Sequence, residues 1–165
     1  MMQVLTRLYR WLRWILGSVF VWSGVVKLMD PPTFAVLIDA YGLLPDVLVL
    51  PVAVMLPILE VLAGAGLMVD LRGSLAVISG LLILFVVILG YGIRMGLDVD
   101  CGCFGPEDPE AEAFHNLRPA LYRDLTMLAA AAFLYVWRRL RRIEPLNTGQ
   151  LVDKYTKRKT EDAYV

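Results

Sequence analysis

Four apolar stretches, Trp11 to Met29, Val47 to Val69, Gly73 to Ile93 and Pro119 to Trp137, constrain this chain more than any other feature of its sequence. Each is long enough to cross a hydrocarbon core, which takes roughly 17 to 25 helical residues at a rise of about 1.5 Å each. A backbone in lipid must satisfy its own hydrogen bonds, so each stretch is expected to be an α-helix. With 58% hydrophobic residues and a mean hydropathy of +0.63, the composition excludes an ordinary soluble domain. The expected fold is all-α and integral to the membrane: a four-transmembrane-helix bundle over residues 1–143, then a polar tail over residues 144–165. Neither a soluble catalytic module nor a nucleic-acid partner is expected.

Arg7, Arg10 and Arg13 ahead of the first stretch imitate a secretory leader, but no small-x-small cleavage site closes it. A retained helix is expected. Orientation follows from the Lys and Arg residues, because positive loops stay in the cytoplasm. The N-terminal segment carries those three arginines, the second loop Arg72, and the segment after the fourth stretch Arg138, Arg139, Arg141 and Arg142. The loop from Asp30 to Asp46 has no Lys or Arg. That from Arg94 to Arg118 sets its two arginines against Asp98, Asp100, Glu107, Asp108, Glu110 and Glu112. Both termini are therefore expected inside, with the two acidic loops outside, as for a multi-pass protein of a bacterial inner membrane. The tail, with Lys154, Lys157, Arg158 and Lys159, is expected near anionic lipid.

The only cysteines lie in Asp100-Cys101-Gly102-Cys103-Phe104-Gly105-Pro106, in the long outer loop just past the third stretch. Residues two apart have Cα separations near the disulfide window of about 4.4 to 6.8 Å, and Gly102 supplies the backbone freedom so tight a ring needs. Strained disulfides have higher reduction potentials than structural ones and exchange readily, so Cys101 and Cys103 are candidate catalytic thiols. A structural bridge is the alternative, but one closing three residues removes little unfolded-chain entropy. A metal site from Cys101, Cys103 and His115 is a weaker alternative, lacking a clear fourth ligand. There is no Cys-x-x-Cys, no haem-type Cys-x-x-Cys-His and no second pair. Thiols alone cannot relay electrons to the inner face, so turnover needs a quinone, another outer-face thiol protein or a bound cofactor.

Ionisable groups inside spanning helices are costly and are functional candidates by default. Lys27 stands near the outer end of the first helix, where its amine can snorkel to the interface. Glu60 lies deeper and calls for a partner or a proton. Arg123 and Asp124 sit a turn inside the fourth helix and, as sequence neighbours, are expected to point apart and find separate partners. A cation at this depth favours a nearby thiolate, and it can equally hold an anionic head group or a quinone oxygen. An inter-helix ion-pair network is the purely structural alternative. Ser23, Gly24, Gly64, Gly66, Gly80 and Gly90 are expected at close helix contacts, and Trp11, Trp14, Tyr91, Tyr122 and Trp137 as interfacial anchors.

The pattern Gly17-x-x-Phe20-x-x-Ser23-Gly24-x-x-Lys27-Leu28, the second-helix Pro57-x-x-Glu60-x-x-x-Gly64 and the string from Asp100 to Gly105 resemble the MauE/DoxX membrane family, its MauE-like branch most closely, over about residues 10 to 140. The resemblance implies maturation of periplasmic enzymes, notably disulfide formation in methylamine dehydrogenase, beside a thioredoxin-like partner or a client enzyme. For DoxD-like relatives it implies a subunit of thiosulfate:quinone oxidoreductase. The rival expectation is thus a non-catalytic quinone-binding or assembly subunit of a respiratory or sulfur-oxidising membrane complex, or an oligomer.

Overall fold

The computed structural model describes residues 2–96 and 117–141, which are helical apart from caps and short turns. Five helices follow in order among the described residues: α1 Met2–Met29, α2 Pro31–Ala40, α3 Asp46–Met68, α4 Ser74–Met95 and α5 Leu117–Arg141. The all-helical expectation holds. The tail over 144–165, the two cysteines and His115 lie outside the described residues.

The helix bounds correct the sequence reading in two places. First, α1 begins at Met2 rather than Trp11, since Arg7, Arg10 and Arg13 do not break a helix and can sit beyond the apolar core. Second, the segment from Asp30 to Asp46 contains α2. Asp30 caps it by accepting from the Thr33 N–H at 3.2 Å and the Thr33 hydroxyl at 2.6 Å, and two prolines occupy its first turn. Those hydrogen bonds, the hydroxyl first, hold the Asp30 carboxyl below its ordinary pKa. The cap contribution is therefore present above the unfolded value and fades as pH falls through the lower folded one.

Leu5–Met29 of α1, together with α3 and α4, are long and apolar enough to cross a membrane. At 25 residues α5 has the length as well. However, Arg118, Arg123 and Asp124 stand near its start and Arg138, Arg139 and Arg141 near its end, which leaves an uncharged stretch from Leu125 to Trp137.

The long helices pack as two antiparallel pairs, α1 on α3 and α4 on α5, joined through α3 on α4 and α1 on α5. Leu16 and Phe20 of α1, Leu67 of α3, Ile78 and Leu82 of α4 and Leu134 of α5 meet in one core. Large apolar side chains such as Val47, Met55, Leu62 and Val87 face outward, as a lipid-facing surface requires.

Glycine sets how closely α1 approaches α3. A Cβ on Gly64 would stand 2.7 Å from the Gly17 carbonyl oxygen, and one on Gly24 would stand 2.7 Å from that of Pro57. Gly66 is likewise packed, against Ser74. Gly80 and Gly90 are not: a Cβ on either meets nothing within 4 Å, so the expectation of close contacts there is corrected. Gly92, which the sequence reading passed over, lies against Leu117 and Tyr41.

The end where α1 starts and α5 finishes is tied by Asp70, in the α3–α4 turn with φ of +62°. It receives Arg13 at 2.8 Å and a hydrogen-bonded ion pair from Arg138, which also donates to the Tyr9 hydroxyl at 3.0 Å. Trp137 is not an interfacial anchor. It is buried, stacked on Phe133 with centroids 6.0 Å apart, and covered by the Arg141 guanidinium. Trp11, Trp14 and Tyr122 are exposed, as anchors must be.

Candidate functional site

The close approach of α1 to α3 at Gly24 brings Lys27 and Glu60 together. Side chains on a helix lean toward its N-terminus, so in an antiparallel pair the two lean toward each other. The Lys27 ammonium donates to Glu60 Oε1 at 2.6 Å, and the residues are only 5% and 0% exposed. Lys27 therefore does not snorkel outward. Its Nζ instead sits over the rings of Phe34 and Phe85, 5.2 and 4.9 Å from their centroids, an arrangement that stabilises a desolvated cation.

Asp124 of α5 joins this cluster from the other helix pair. Arg123 Nε lies 3.4 Å from Asp124 Oδ1, so the two neighbours pair with each other and the expectation of separate partners is corrected. Arginine's long, forked side chain can fold back across a single residue, which the helical-wheel argument ignored. Glu60 Oε2 and Asp124 Oδ2 are buried and have no hydrogen-bond partner among the described residues. A cavity of about 20 Å³ lies among Ser23, Lys27, Glu60, Arg123 and Asp124, all five of which line it.

Above this cluster, between α2, α3 and α4, is a second cavity of about 460 Å³. It shares Lys27, Phe85 and Asp124 with the small one, and is otherwise lined by apolar and aromatic side chains including Phe34, Tyr41 and Leu56. That volume and a few polar groups in an apolar wall are typical of small-molecule sites. Without α2, which the sequence reading took for loop, the cavity has no outer wall.

Of the residues singled out from sequence, the structure gathers Lys27, Glu60, Arg123 and Asp124 into one cluster. Cys101, Cys103 and His115 lie outside the described residues, and no group of three or more metal-ligating side chains occurs among those described. Asp70 was missed, although a lone acid in an otherwise basic loop was a signal that could have revealed it.

Apolar spanning helices around a buried, paired charge cluster define a multi-pass membrane protein with a polar site inside its bundle. The chain belongs to the MauE family: the model of methylamine utilisation protein MauE matches residues 5–138. Comparison with curated proteins and with solved structures gave no match.

Proposed function

We propose that this chain is a thiol-disulfide factor of the cell envelope that helps mature extracytoplasmic enzymes, with Cys101 and Cys103 as its exchanging pair. The observation that carries the reading is the segregation of charge along the bundle. Arg7, Arg10, Arg13, Arg72, Arg138, Arg139 and Arg141 gather at the end held by Asp70. Residues 97–116 leave α4 and rejoin α5 at the opposite end, where Gly92, Leu117 and Tyr41 converge. With the basic end in the cytoplasm and α5 as a fourth span, the Cys-Gly-Cys segment faces an oxidising compartment.

In the oxidising direction, a client thiolate attacks the Cys101–Cys103 disulfide and forms a mixed disulfide, releasing one cysteine as thiolate. A second client thiolate then attacks the mixed disulfide, so the client leaves oxidised and both cysteines are left reduced. An extracytoplasmic thioredoxin-like protein is the natural exchange partner. Membership of the MauE family supports this role in a methylamine-utilisation system.

Topology is the first expected result. A reporter active only outside the cytoplasm should work when fused after Glu112 and fail when fused after Arg142; the reverse pattern would remove the compartment argument. For the exchange itself, Cys101→Ser and Cys103→Ser variants expressed in cells should each be tested for trapped mixed disulfides. At least one should hold a thioredoxin-like protein or an enzyme subunit in a reductant-sensitive adduct. No adduct with either variant would sink the proposal. The cavity favours a second reading, a subunit that binds a lipid-soluble molecule without thiol chemistry. Cysteines that stay oxidised through turnover in a co-purified complex would select it.

A further inference from the structure

The cavity of about 460 Å³ opens through apolar side chains. Leu84 and Val87, which line it, are 42% and 62% exposed near the middle of α4, and Leu43 at the end of the α2 turn is 48% exposed. These residues carry its mouth onto the apolar surface of the bundle, the surface a bilayer would cover. Its floor is polar. Lys27 has three N–H donors, one of which is given to Glu60, and Asp124 Oδ2 is a buried acceptor without a hydrogen-bond partner among the described residues. One cation, Lys27, and one carboxylate, Asp124, line that floor, and Glu60 and Arg123 pair with them from the adjoining small cavity, so the floor has no net charge to attract an ion. A hydrocarbon chain alone has no use for such a floor, since burying charged groups against it gains nothing.

We propose that this cavity binds the head of a lipid-soluble quinone, with its tail leaving between α2 and α4. The carbonyl form accepts from Lys27 and the hydroxyl form donates to Asp124, while Phe34 and Phe85 beside the ammonium offer faces to a flat ring. Binding rests on the cavity; the redox role of the quinone rests on the thiol-exchange reading. In that role two S–H bonds of Cys101 and Cys103 are lost and one S–S bond forms. The two electrons and two protons convert both quinone carbonyls to hydroxyls. Tyr41 and Leu89 line the cavity, and Tyr41 also packs against Gly92 near the end of α4.

The test uses the full chain in nanodiscs of one zwitterionic phospholipid, with decylubiquinone as probe and decanol as an equal-tailed competitor. Decylubiquinone should bind at least about tenfold more tightly than decanol. Ile88→Trp, which fills the cavity, should weaken it by a similar factor; where that variant does not fold, Val87→Trp at the mouth serves instead. Lys27→Met with Glu60→Met should erase the preference for the quinone. Equal affinity for the two probes, or full binding to the filled variant, would overturn the proposal. Cys101→Ser with Cys103→Ser should leave binding intact, so quinone binding without mixed disulfides defeats only the exchange reading, and mixed disulfides without quinone binding defeat only this one.

Discussion

Lys27→Met is expected to destabilise the full chain in micelles by about 3–5 kcal/mol, because it leaves Glu60 buried without its cation. Glu60→Met should cost a similar amount for the converse reason. The pair together should recover most of the loss, since two apolar side chains of similar volume often replace a buried ion pair at little net cost. The geometry behind this is a 2.6 Å contact between residues that are 5% and 0% exposed. Unfolding by a denaturing detergent, followed by helix content, gives the cycle. A double variant as unstable as the sum of the two singles would show that the groups are not coupled.

The second large effect concerns the α1–α3 contact. Even an alanine at Gly64 brings its Cβ to 2.7 Å from the Gly17 carbonyl and 3.0 Å from Phe20 and Val21, so the helices must separate. Gly64→Ala should cost about 1–3 kcal/mol and Gly64→Val more, as overpacked sites do. Gly80→Ala, in open space on α4, should be neutral or gain about 0.5–1 kcal/mol from reduced chain entropy. The same titration reads both, and equal effects at the two glycines would contradict the packing described here. Separation at this contact also pulls Lys27 from Glu60, so the loss at Gly64 should reach the polar cluster.

Hydropathy located α1, α3 and α4, because a run of apolar residues long enough to span lipid has few alternatives to a helix; it also marked α5, a long helix whose apolar run is cut short by Arg123 and Asp124. It could not locate α2, a ten-residue helix whose signal was the cap Asp30-Pro31-Pro32-Thr33 rather than its length. Cost in lipid flagged Lys27, Glu60, Arg123 and Asp124 one by one. Their pairing was hidden, because partner choice depends on the register of α1 on α3, and that register is set by which glycines touch. Hydropathy and residue size do not distinguish Gly64, in contact, from Gly80, in the open. Asp70 escaped for a related reason: its value lies in two arginines brought to it from α1 and α5. The cysteine pair was the clearest motif in the sequence, and its chemistry rests on spacing and family rather than on the geometry described.

The central claim, that Cys101 and Cys103 form an exchanging disulfide, is tested most directly by its midpoint potential. The full chain is equilibrated in a series of poised thiol buffers, quenched with acid and alkylated with a mass tag that counts free thiols. A midpoint well above about −300 mV, in the range of labile and catalytic disulfides, is the expected result. A midpoint below that value, where structural bridges lie, would contradict the account.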